Sequence, residues 1–169
     1  MRYLISQGYS KDHIVLIAED DIAQNPSNPT PGTLHVKEGG VNVYVQSAID
    51  YHLRDLTPND IGDILQGKQS DHLPKVIKAT ANDNIFIFWS SHGTPGKLDF
   101  GSDLQKTISY SELKEGLQET AHRKLMMVVE ACYSGGLAKS NLLFNNKWLI
   151  AKELIHKIVV HISVVSFII

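Results

Sequence analysis

A chain of 169 residues, 43% hydrophobic and 20% charged, is long enough to bury one core and ordinary in composition for a single globular domain. Its formal net charge of −2 and its lack of a basic block exclude nucleic acid as the expected partner, because phosphate binding needs clustered Lys and Arg. The one cysteine, Cys132, excludes an internal disulfide framework and any Cys-rich metal site.

The opening stretch, "MRYLISQGYSKDH", contains no long apolar run of the kind a secretory leader needs. "DHIVLIAED" (12–20) is rich in β-branched residues and ends in acids, which predicts a buried strand. The proline-rich "DIAQNPSNPTPG" that follows must be a loop, since proline fixes φ and removes a backbone donor. A helix is signalled from Thr57, a capping residue, with Pro58 in the first helical position and Asp60 at the positive end. Ile61, Ile64 and Leu65 supply its apolar stripe.

"NIFIFWS" (84–90) is the clearest strand, with Phe86, Phe88 and Trp89 read as core aromatics. Ser109 to Glu112 has the spacing of a capping box and predicts a helix with Leu113, Leu117 and Ala121 on one face. "KLMMVVEA" (124–131) is apolar without alternation, which predicts a strand covered on both faces. The far end, "LIHKIVVHISVVSFII" (154–169), is broken by His156, Lys157 and His161 and is short for a membrane span, so a buried strand is expected there instead. Strands alternating with helices predict an α/β sandwich with a largely parallel sheet. Ligands bind such sheets at the carboxyl ends of their strands. His92 and Cys132 both fall at those ends.

The layout around the two residues is the same: an apolar run, the reactive side chain, then glycine. A lone histidine after a strand is more often structural, and a lone cysteine usually packs as a small hydrophobe. Their repetition argues for chemistry. A thiol attacks carbonyls as the thiolate, and a neighbouring imidazole can take its proton and later protonate a leaving amine. Backbone N–H groups at Gly93 and Cys132 would stabilise an oxyanion, and Glu130 lies on the same side of its strand as Cys132. Competing motifs fail. "GTPGK" (93–97) is too short for a phosphate loop, no G-x-S-x-G elbow exists, and the histidines contain no H-E-x-x-H pair.

"FWSSHGTPG" with "EACYSG" resembles the legumain (asparaginyl endopeptidase) family of caspase-like cysteine peptidases. "DDIAQNPSNPTPG", "VNVY" and "DLTPNDIGDILQGK" extend the likeness upstream. The resemblance implies a caspase-like three-layer α/β sandwich, with a mostly parallel central sheet flanked by helices. It covers residues 1–137 as an incomplete catalytic domain and leaves 138–169 as a divergent segment. It implies an endopeptidase cleaving protein or peptide substrates after asparagine, less readily aspartate, in an acidic lysosomal or vacuolar compartment of the secretory pathway.

By the same likeness His92 is the catalytic histidine, Cys132 the nucleophile and Gly93 the oxyanion-loop glycine. Glu130 forms a wall of the pocket that reads the asparagine amide. Ser91, grouped with Glu130 on the substrate side, stands where the family usually has the aspartate linked to ligation. No metal and no cofactor is implied, no stable membrane span is expected, and oligomeric state is left open. The family's opening strand, with an asparagine that orients the histidine and an arginine for the pocket, has no match in this sequence. Its loss predicts unpaired backbone on the neighbouring strands, unless "KIVVHISVV" (157–165) packs as a replacement. Two further readings stay open: a catalytically impaired relative acting as a binding protein, and a catalytic subunit resembling that of GPI transamidase.

Overall fold

The computed structural model describes residues 2–100, 106–140, 147–152 and 164–168. Helix α1 is Arg2–Ser6, and strand β1, Ile14–Ala18, follows a short 3-10 turn. The loop after β1 is organised by one side chain that sequence reading missed. The amide of Asn28 donates to the carbonyls of Ile22, Ala23 and Thr33 at 3.3, 3.0 and 2.9 Å. Strand β2 is Tyr51–His52 and helix α2 is Pro58–Gln66. The expected cap of α2 is present as a reciprocal box. The Asp60 carboxylate accepts from the Thr57 N–H at 2.7 Å, and the Thr57 hydroxyl accepts from the Asp60 N–H at 3.3 Å. Gly67 stops the helix in the left-handed region at φ 74°.

Strand β3 is Asn84–Ser90, as read from sequence. Three short strands come next, β4 (Gly93–Thr94), β5 (Lys97–Asp99) and β6 (Thr107–Ser109), leading into helix α3, Tyr110–Gln118. Strand β7 is Lys124–Glu130, helix α4 is Gly135–Lys139, and strands β8 and β9 are Lys147–Lys152 and Val164–Ile168. Ala121, expected on the apolar face of α3, lies past its end and is exposed. Thr120 makes the contact instead, its buried hydroxyl donating to the Leu65 and Gly116 carbonyls at 2.9 and 2.8 Å.

The central sheet runs β2-β1-β9-β3-β7-β8, and β4, β5 and β6 form a separate antiparallel sheet. Every pairing in the central sheet is parallel except those of β9, which lies antiparallel to both β1 and β3. This is the mostly parallel α/β architecture the sequence predicts. The expectation of unpaired backbone at the sheet centre is corrected: β9 fills the gap, Ser166 opposite both Leu16 and Phe88. Residues 157–163 of the proposed replacement strand lie outside the described residues.

Helices α2 and α3 cover one face of the sheet. Ile61, Ile64, Leu65, Leu113 and Leu117 pack there with Ile85, Ile87, Trp89, Leu125, Met127 and Val129, all nearly inaccessible. The helices approach closely where Gly62 meets Gly116, since a Cβ at Gly116 would sit 3.3 Å from the Gly62 Cα. The opposite face is more open. Phe86, Phe88 and Val128 are half-buried, and Met126 and Ile150 are 39% and 50% exposed. Strand β7 therefore alternates in burial, although its sequence predicts cover on both faces; Met126 and Val128 are apolar without being enclosed. Among the described residues no helix is long and apolar enough to cross a membrane.

Candidate active site

The position of the site follows from one ladder. Strands β3 and β7 pair in parallel from Asn84 opposite Lys124 to Ser90 opposite Glu130. The Ser91 N–H donates to the Glu130 carbonyl at 3.1 Å, which carries the pairing past the strand ends. The turns bearing His92 and Cys132 thus leave neighbouring strands at the same edge of the sheet. His92 is exposed and Cys132 half-buried.

Gly93 shows how close the two turns are. A Cβ built there would lie inside the contact distance of the Cys132 carbonyl oxygen and 3.3 Å from the Ala131 Cβ. Only glycine allows this approach. Sequence reading expects Gly93 in an oxyanion loop; the structure shows it letting the histidine hairpin seat against the cysteine turn.

The backbone around His92 is held from several sides. The His92 carbonyl accepts from the Asp99 N–H at 3.1 Å and from the Ser91 hydroxyl at 2.7 Å. The Ser91 oxygen in turn accepts from the Trp89 indole N–H at 2.8 Å. Ser91, expected on the substrate side, is only 1% exposed and its hydroxyl points inward to these partners. Asp99 is 3% exposed and continues the β4–β5 register directly across from His92. Nothing in the linear sequence marks it, because its nearness to His92 depends on the Pro95-Gly96 turn, where Gly96 has φ 81°.

On the cysteine side, Tyr133 adopts φ 58°, a left-handed conformation that costs a non-glycine residue on the order of 1 kcal/mol or more. Its carbonyl accepts from the Tyr110 hydroxyl at 2.8 Å and from the Gly136 N–H at 2.9 Å. Glu130 is half-buried on the more open face of β7, in register with Ser90 and Lys152.

Acidic groups gather at the end of β1 on the same edge of the sheet. Glu19, 4% exposed, pairs with Arg54 at 3.5 Å, and Arg54 also donates to the Glu19 carbonyl at 3.0 Å. Burial, together with the hydrogen bond to Asp20 and its charge, pushes the Tyr44 hydroxyl up to about 12. Among the described residues no group of three or more His, Cys, Asp or Glu side chains could hold a metal ion.

The family model for the Peptidase C13 family matches residues 1–152. This chain belongs to the Peptidase C13 family. The match runs past Leu137 and through β8, and it makes the chain a relative of the legumain-type cysteine peptidases. Curated relatives agree. Hemoglobinase of Schistosoma japonicum is 35% identical over 135 residues, covering 79% of this chain and 32% of that protein. Legumain of Homo sapiens is 32% identical over 140 residues, covering 77% of this chain and 31% of that protein. The vacuolar-processing enzyme delta-isozyme of Arabidopsis thaliana is 32% identical over 144 residues, covering 80% and 31%. The chain thus spans about a third of the length of these Peptidase C13 relatives.

Proposed function

We propose that this chain is a cysteine endopeptidase that hydrolyses peptide bonds after asparagine, and less readily after aspartate, through Cys132 and His92. The observation that carries the reading is the in-register pairing of β3 and β7, which sets the His92 and Cys132 turns side by side at one edge. His92 takes the thiol proton, and the thiolate attacks the carbonyl carbon of the scissile bond. The carbonyl electron pair moves onto oxygen and is received by the backbone N–H groups of Gly93 and Cys132. One such donor typically supplies about 2.7–4 kcal/mol of transition-state stabilisation. Support for the Gly93 donor comes from the hairpin ladder: the His92 carbonyl bonds to Asp99, which makes Gly93 and Leu98 a non-hydrogen-bonded pair with outward-facing N–H groups.

Collapse of the tetrahedral intermediate breaks the C–N bond, and the imidazolium passes its proton to the leaving amine. Water, deprotonated by His92, then cleaves the thioester, releasing the acid and regenerating the thiol. Glu130 accepts from the substrate amide. An ionised aspartate side chain would be repelled there, so cleavage after aspartate rises as pH falls through about 4. The relative named vacuolar-processing enzyme supports a vacuolar setting.

The test is hydrolysis of a fluorogenic peptide ending in asparagine at mildly acidic pH, alongside Cys132→Ala. Release from the wild type alone supports the proposal. Equal signals from the two proteins remove it.

A further inference from the structure

Tyr110 is the first residue of α3, 7% exposed, and it grips both candidate loops. Its backbone N–H donates to the Gly96 carbonyl at 2.9 Å, at the tip of the hairpin that begins with His92 and Gly93. That N–H is one of the first-turn donors a helix cannot satisfy internally, so it is available to the hairpin. Its hydroxyl donates to the Tyr133 carbonyl at 2.8 Å, immediately after Cys132. Its ring lies against Gly136, where a Cβ would come within 3.0 Å of the ring edge.

The cysteine turn has reason to need an outside anchor. Tyr133 is held in the left-handed region while its own side chain is 55% exposed. Ser134, fully buried, makes no hydrogen bond through its hydroxyl among the described residues. Within the turn, Ser134 N–H donates to the Ala131 carbonyl at 3.3 Å and Gly136 N–H to the Tyr133 carbonyl at 2.9 Å. A phenol ring is rigid, with few torsions between its hydroxyl and its backbone. Two loops that leave different strands are therefore referenced to one stiff group.

We propose that Tyr110 is a positioning residue for the reaction, fixing the Cys132 turn against the His92 hairpin through the carbonyls of Tyr133 and Gly96. The proposal rests on the Cys132/His92 reading of the site. Tyr110→Phe removes the hydroxyl while leaving the ring and the backbone N–H. In that variant kcat is expected to fall about tenfold or more with KM nearly unchanged, the signature of displaced reacting groups rather than lost binding. Amide exchange at residues 132–136 should accelerate while the melting temperature stays close to wild type.

A Tyr110→Phe protein with wild-type kcat and amide exchange overturns the proposal, even if Tyr110→Ala melts early. A wild-type chain that hydrolyses nothing sinks the dyad instead. Amide exchange then decides on its own whether Tyr110 holds the turn: faster exchange in Tyr110→Phe keeps that role, and unchanged exchange removes it.

Discussion

Gly93 lies so close to the Cys132 carbonyl that adding a single methyl group forces the two loops apart. Gly93→Ala is expected to lower kcat/KM about a hundredfold or more, since displacements of an ångström have that effect on positioned groups. Activity within about threefold of wild type would show that the loops tolerate separation. The glycine is visible in the sequence, but its steric reason is not, because the atom it must avoid lies on another strand. Ser91 is the opposite case. The family resemblance groups it with the substrate side, and its hydroxyl accepts from Trp89 and donates to the His92 carbonyl. Ser91→Ala should destabilise the protein by about 1–3 kcal/mol, the penalty for a buried indole N–H left unpaired. An unchanged denaturant midpoint would count against that.

Helices α2 and α3 are the most legible elements, because their signals are local: a capping residue, an acid three positions later, and apolar residues at helical spacing. Thr57→Ala and Ser109→Ala should each lower stability by about 1 kcal/mol in chemical denaturation. Wild-type midpoints in both variants would show that the caps contribute nothing. Their acids also set a pH limit. The side-chain and backbone bonds to Ser109, aided by Lys97, outweigh burial and hold the Glu112 carboxyl below its ordinary value. For Asp60, burial pushes upward, but the bonds from Thr57 and the nearby His72 win and hold it low. A folded pKa below the unfolded one gives stability that is present above the unfolded value and lost as pH falls through the folded value. Both caps should therefore remain intact at mildly acidic pH and fail only below about 4. Helical circular dichroism and melting temperature recorded from about pH 6 to 3 check this; loss already at about pH 5 would place the weakness elsewhere. Strand faces are harder to read. In β7, Met126 and Val128 are as apolar as Met127 and Val129, and only packing distinguishes the two pairs, with Met127 buried and Met126 exposed.

At the scale of the whole molecule, β9 decides whether the sheet is continuous. Among the described residues it is the one strand of the central sheet running against the others, and it joins β1 to β3 through ladders on both of its edges. Without it, two central strands would expose unpaired N–H and C=O groups, which favours aggregation. Proline at position 166 tests this, since it removes a ladder donor from a central strand and is tolerated almost only at sheet edges. Ser166→Pro is expected to destabilise the chain by about 3 kcal/mol or more and to promote aggregation, read by thermal melting and light scattering. A variant that melts like wild type would remove β9 from the centre of the sheet.

The sequence by itself determined the strand–helix alternation, the Thr57 cap, the Ser109–Glu112 capping box and the pairing of a histidine and a cysteine with strand ends. Each of these is written in a few consecutive residues, through side-chain period, φ preference and cap chemistry. Tertiary structure alone decided that Val164–Ile168 is the stretch that fills the sheet centre, that Ser91 turns inward, that Asp99 comes to lie across from His92, and that Tyr110 bonds to both loops. These depend on contacts between residues far apart in the chain, where position is set by which surfaces can be buried together and not by any local preference.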